Sequence, residues 1–166
     1  MDESVFETLT QSGVGAYLAP GHTKASGEWA TLAPAVPVNY QALAAFRFLL
    51  GGFLEFSEEA AREVGLPPRQ YQALLQIKGL PEGQKMTVGT LAERLRVRHH
   101  SAVELADRLE QAGLLTRIAD KKDRRRVFLG LTARAEALLA GLARVHQGEL
   151  HRLRLALAEL LEKISP

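Results

Sequence analysis

Residues 114–132 read LLTRIADKKDRRRVFLGLT. Two β-prone runs, Leu115–Ala119 and Val127–Leu131, flank a charged tip, which predicts a β-hairpin. The ten residues 117–126 hold six cations, Arg117, Lys121, Lys122, Arg124, Arg125 and Arg126, against two anions, Asp120 and Asp123. So much positive charge on one hairpin suits a polyanion. Just upstream, Arg98–Ala112 (RHHSAVELADRLEQA) has the apolar spacing of an amphipathic helix.

Working back from that helix, Thr87 is placed to cap a short helix over Val88–Leu95, and Arg96-Val97-Arg98 forms the turn between the two. Gly113 suits the left-handed residue that closes the second helix. Two helices joined by a tight turn, then a basic hairpin, predict a winged helix-turn-helix, an arrangement that reads DNA. Further upstream, Pro67-Pro68 opens a helix that Gly79 ends, with Tyr71, Leu74 and Leu75 on its apolar face. Residues 80–86 form a turn. From Tyr40 to Val64 the apolar positions Ala42, Phe46, Leu49, Leu50, Phe53, Phe56 and Ala60 recur at helical spacing. Within that stripe, the Gly51-Gly52 pair would permit a close helix approach, and Gly65 is the stop.

Downstream, Thr132 caps the last element. Its leucine-rich stripe runs from Ala135 through Leu142 and Leu153 to Ile164. A continuous helix over 133–164 would be roughly 48 Å long, too long to bury against one small winged domain, and Gly148 is a candidate break. The surplus of leucine implies a partner helix, most simply from a second copy. Residues 1–38, rich in Gly, Ala and Pro, show no sustained period and read as a flexible arm or one that packs on the dimer, with Trp29 as its anchor. The expected organisation is an N-terminal extension (1–38), a first dimerisation helix (39–64), the winged helix-turn-helix (65–132) and C-terminal dimerisation helices (133–166). The fold class is mainly α with a small β-hairpin wing.

Composition narrows the chemistry. The formal net charge of the 166 residues is only +2, so clustering of cations argues better than their total. With no cysteine, a disulfide scaffold, a thiolate zinc site and a thiol switch are excluded. No apolar run approaches the roughly 18 residues of a membrane span, and the N-terminus MDESVFETLT is acidic where a secretory leader is basic. A cytoplasmic protein without membrane contact is expected. Adjacent His99 and His100 point about 100° apart on a helix, and His146 and His151 are five residues apart. Neither pair suits one metal ion. There are no paired carboxylates at catalytic spacing, no nucleophile elbow and no phosphate loop, so no enzyme, cofactor or catalytic residue is expected.

On a helical wheel, Ala102, Leu105, Ala106 and Leu109 fall together and should face the core. His100, Val103, Glu104, Asp107 and Gln111 fall opposite, with His99 and Ser101 at the flanks. Arg98, His99, His100, Ser101, Val103 and Glu104 are therefore the candidate groove contacts. His100 and Ser101 can bond a base edge or a phosphate, Val103 can touch a thymine methyl, and Glu104 can accept from a cytosine amino group. A surface ion pair between Glu104 and Arg108 would account for Glu104 equally well. Asp107 would repel phosphate and is expected to pair with Arg94 or Arg98. In the hairpin, a cationic side chain of the tip Lys121-Lys122-Asp123-Arg124 is placed to enter a minor groove. Asp123 would brace Arg125, and Arg117, Arg124 and Arg126 would meet phosphates.

These stretches resemble the MarR (multiple antibiotic resistance regulator) family. The resemblance covers about residues 39–164 and is most specific in D-K-K-D-R-R-R-V-F-L-G-L-T at 120–132, which follows that family's wing signature with Lys122 where Arg is usual. It is next most specific in S-A-V-E-L-A-D-R-L-E-Q-A-G-L-L at 101–115, with Glu104 where a basic or neutral residue is commoner. The resemblance implies a homodimer reading a palindromic site in double-stranded DNA, and a repressor of nearby genes relieved by a small aromatic or acidic ligand. It would place Phe46, Phe53 and Tyr71, with parts of 88–95, near the ligand cleft. The competing reading is a winged-helix protein-interaction module without DNA binding, which Glu104 and Asp107 on the outer face would favour.

Overall fold

In a computed structural model of the chain, residues 39–120, 123 and 126–164 are described. The arm 1–38, Trp29 within it, and the wing residues Lys121, Lys122, Arg124 and Arg125 lie outside them. Among the described residues, five helices and one hairpin follow in order: α1 (Tyr40–Glu63), α2 (Pro68–Lys78), α3 (Val88–Leu95), α4 (His99–Gln111), β1 (Leu115–Ala119), β2 (Val127–Leu131) and α5 (Ala133–Ile164).

Local chemistry accounts for most of the ends. Asn39 caps α1 by accepting from the Ala42 amide at 3.0 Å. Thr87 accepts from the Thr90 amide at 3.1 Å to start α3, and Thr132 accepts from the Ala135 amide at 3.2 Å to start α5. Each cap satisfies an amide that the first helical turn leaves without a partner. Gly113 closes α4 at φ +67°, where a side chain would be strained. The turn between α3 and α4 uses Arg96 at φ 54° instead of a glycine. Its amide reaches the carbonyls of Ala92 and Glu93 and swings the chain into α4.

The hairpin is antiparallel, with Leu115 opposite Leu131 and Ala119 opposite Val127. The Leu129 amide also donates to the Met86 carbonyl at 2.8 Å, which ties the segment before α3 to the edge of the wing. Beneath the wing lies one apolar core. Leu74 of α2, Met86, Leu91 of α3, Leu109 of α4 and Leu115 of β1 are its largest fully buried members. As expected of the recognition-type helix, Ala102, Leu105, Ala106 and Leu109 all face this core.

Helices α1 and α5 run antiparallel. Asn39 Nδ2 at the start of α1 donates to the Lys163 carbonyl near the end of α5 at 3.2 Å, and Ser57 near the other end of α1 meets His146. Helix α5 runs unbroken through Gly148, contrary to the break considered for it. A glycine within a helix costs about 1 kcal/mol against alanine, which packing along α1 outweighs. Within the chain no close approach is made at Gly51-Gly52, since a Cβ at either position would meet nothing within 4 Å. Apolar side chains along α1 and α5 remain uncovered, most of them off the expected stripes: Phe48 is 83% exposed, and Tyr40, Leu54, Leu155 and Leu161 are each more than half exposed. Among the described residues, no helix is long and apolar enough to cross a membrane.

Candidate nucleic-acid interface

The side of α4 turned away from the core carries the polar candidates. Arg98, His99, His100 and Glu104 are exposed, and Ser101 and Val103 are half-buried. Arg98 occupies the N-cap position without a side-chain cap bond. The first turn of α4 therefore presents amide N–H groups beside a guanidinium and two imidazoles, a setting that favours an anion.

Arg117 on β1 reaches back to α4. Its guanidinium donates to Asp107 Oδ1 at 2.5 Å and to Glu110 Oε2 at 2.6 Å. This corrects one expectation: Asp107 pairs with Arg117 and with neither Arg94 nor Arg98. Arg117, expected to meet phosphate, is engaged with two carboxylates over the last turns of α4. Arg94 turns instead to Gln76 Oε1 at 2.9 Å. The Arg117 guanidinium is held above its ordinary pKa, chiefly by the hydrogen bond to Asp107 and, against a smaller desolvation cost, by Glu110. The pair is only about one-third exposed on the arginine side. A double-mutant cycle on Arg117 and Asp107 should return a coupling of about 1 kcal/mol that shrinks with added salt. A coupling indistinguishable from zero in low salt would mean that the clamp does not hold in solution.

Nor does Glu104 pair with Arg108, although the spacing favours it. Arg126, at the exit of the wing tip, is exposed and sits with its guanidinium 5.7 Å from the centroid of the Phe128 ring. Lys85, from the loop before α3, stands 4.5 Å from the same ring. Phe128 thus holds two cations at the root of the wing. Around the tip, the Asp120 amide donates to the Arg126 carbonyl and the Arg126 amide to the Asp123 carbonyl, each at 2.9 Å. The brace between Asp123 and Arg125, and the placement of Lys121, Lys122 and Arg124, lie outside the described residues.

Of the aromatic candidates, Phe53 and Tyr71 meet at His146, while Phe46 stands nearly two turns further along α1. Sequence spacing makes His146 a poor metal ligand and offers it no other role, yet it is a buried junction of three helices. Its Nδ1 lies 2.7 Å from the Leu142 carbonyl. A carbonyl only accepts, so Nδ1 donates to it. The Ser57 hydroxyl from α1 lies 2.8 Å from Nε2, and the Tyr71 hydroxyl from α2 lies 3.4 Å away. Burial raises the Tyr71 phenol above its usual pKa, offset in part by the hydrogen bond to Ser57, so it stays a neutral donor. A lone histidine in a helical pattern gives no signal for such a junction. The matching face of Ser57 and Phe53 is its only trace in the sequence. Among the described residues, no cluster of three or more His, Cys, Asp or Glu is placed to hold a metal ion.

Comparison with known proteins bears on the same region. A family model described as "MarR family" matches residues 64–126. The HTH-type transcriptional repressor MdtR of Bacillus subtilis (strain 168) is 34% identical over 87 residues, covering 50% of this chain and 54% of that protein. The match thus spans about half the length of the curated relative. Among solved structures, YusO from Bacillus subtilis superposes with a TM-score of 0.56 at 22% identity, covering 83% of this chain and 96% of that one. A point mutant of MepR from S. aureus, bound to an oligodeoxyribonucleotide, gives a TM-score of 0.55 at 19% identity, covering 78% and 100%. At these identities the structures speak for the fold alone.

Proposed function

We infer that the chain is a member of the MarR family of winged helix-turn-helix regulators, whose family model matches residues 64–126, and that it is a homodimeric, sequence-specific DNA-binding regulator of transcription. The observation that carries this reading is a helix, α4, that buries one face in the core and leaves its polar N-terminal residues exposed, followed directly in the chain by a cation-rich hairpin. Arg98, His99, His100, Ser101 and Val103 enter the major groove from α4. Arg126, with Lys121, Lys122, Arg124 and Arg125 of the tip, meets phosphates and the adjoining minor groove. The reading makes the chain a non-enzymatic protein of the cytoplasm, where the genome is.

The partner subunit covers the apolar faces of α1 and α5. Phe48, Leu54 and Leu155 would be a liability on a monomer and suit an isologous interface. The similar MepR mutant carries an oligodeoxyribonucleotide, and MdtR is a repressor. Repression is accordingly the proposed mode, with relief by a small aromatic or acidic ligand bound between the α1–α5 pair and the winged domain, near Phe53 and Tyr71. Against the protein-interaction alternative, Asp107 no longer counts as an outward acidic group, because Arg117 neutralises it.

Selection from a pool of random duplexes, followed by sedimentation of the selected complex, tests the reading. The expected product is an inverted repeat with half-site centres about one helical turn apart, roughly 34 Å, bound by two chains. A single chain on a site without a repeat would contradict the dimer, and recovery of no preferred sequence would contradict the function.

A further inference from the structure

Helix α4 carries three carboxylates, Glu104, Asp107 and Glu110, on the element proposed to enter the groove. Carboxylates facing a duplex are repelled by its phosphates. The structure treats the three differently. Arg117 takes both Asp107 and Glu110, at 2.5 and 2.6 Å, and these two lie toward the C-terminal end of the helix. Glu104, the sixth residue of the helix, is exposed and forms no ion pair among the described residues, even with Arg108 at the favoured spacing. Of the three, the carboxylate that Arg117 leaves uncompensated is the one nearest the N-terminal half, where base edges are reached.

We propose that Glu104 is a specificity-determining residue that accepts a hydrogen bond from the amino group of a cytosine in the major groove. The proposal rests on the DNA-binding reading above. An uncompensated carboxylate penalises every duplex through phosphate repulsion, and only a duplex that offers it a donor returns the loss. In the major groove the donors are the cytosine and adenine amino groups. Adenine presents its N7 lone pair beside the amino group, which repels the second carboxylate oxygen. Cytosine presents a C–H there. Glu104 therefore favours cytosine. Arg117 is the positioning residue: by holding Asp107 and Glu110 it confines the acidic contribution of α4 to one base pair.

The test is selection from random duplexes by the full-length native chain, Glu104→Ala and Glu104→Gln, with affinities for the selected sites measured by fluorescence anisotropy. The native chain should fix cytosine at one position of each half-site, with a loss of about tenfold or more for any other base there. Glu104→Ala should lose that preference alone while binding unrelated duplexes more tightly. Glu104→Gln should move the preference toward adenine, because an amide offers the donor and acceptor that match adenine N6 and N7. The exposed position makes both variants compatible with folding. If all three proteins select the same base at every position, this proposal is overturned while the DNA-binding reading stands. If the native chain selects no sequence, both fall together.

Discussion

The His146→Ala chain is expected to unfold about 3 kcal/mol more easily than the native one. Only 6% of the His146 surface is exposed. Its ring stacks against Tyr71 at 5.5 Å between centroids, and Phe56 and Phe53 meet it edge-on at 5.7 and 6.1 Å. Removing the ring opens a cavity walled by three aromatics that cannot collapse together, because they belong to α1 and α2. It also removes the ring nitrogen that faces the half-buried Ser57 hydroxyl and the buried Tyr71 hydroxyl. Tyr71→Phe is the discriminating control. It deletes the hydroxyl that faces His146 and Ser57 and leaves the ring packing, so it should cost only about 1 kcal/mol. Urea unfolding monitored by circular dichroism checks both, with the midpoint moving and the slope unchanged. A loss below about 0.5 kcal/mol for His146→Ala would mean that the junction is not packed in solution as it is in the structure.

The second large effect is on binding. Replacing Arg124 and Arg126 together with alanine should weaken affinity for every duplex, preferred or not. Each neutralised phosphate adds about 0.9 to the slope of log Kobs against log salt. Removing two such cations should therefore reduce the slope by about 1.8 and the affinity near 0.1 M salt on the order of fiftyfold. Base preference should survive, since groups that touch phosphates position the protein and do not read sequence. The cation–π interaction of Arg126 with Phe128 is exposed and contributes about 0.5–1 kcal/mol. Thermal unfolding of the variant should therefore stay close to native. An unchanged salt slope would remove the wing from the interface.

The wing and α4 were legible in the sequence because their signals are local. Two β-prone runs flanking a cationic tip specify a hairpin, and the strands observed are Leu115–Ala119 and Val127–Leu131 as read. Four apolar residues on one wheel face specify which side of α4 is buried. What escaped depends on elements brought together across the chain. The partner of Asp107 sits ten residues away, beyond a turn, so helical spacing alone points to the wrong arginine. Arg96 adopts a left-handed turn without the glycine or asparagine that would announce it. The junction at His146 unites residues 75 and 89 positions apart. Continuity through Gly148 is set by the length of α1 alongside α5, which a local breaker rule does not weigh.

On the proposed function, α4 and the wing together read a particular duplex sequence. Titrating the native chain by fluorescence anisotropy, against its selected inverted repeat and against a scrambled duplex of equal length at several salt concentrations, tests it most directly. Both affinities should fall linearly on a log–log salt plot, with the repeat bound about a thousandfold or more tightly at physiological salt. Equal affinity for the two duplexes, or no binding to either at low salt, would contradict it.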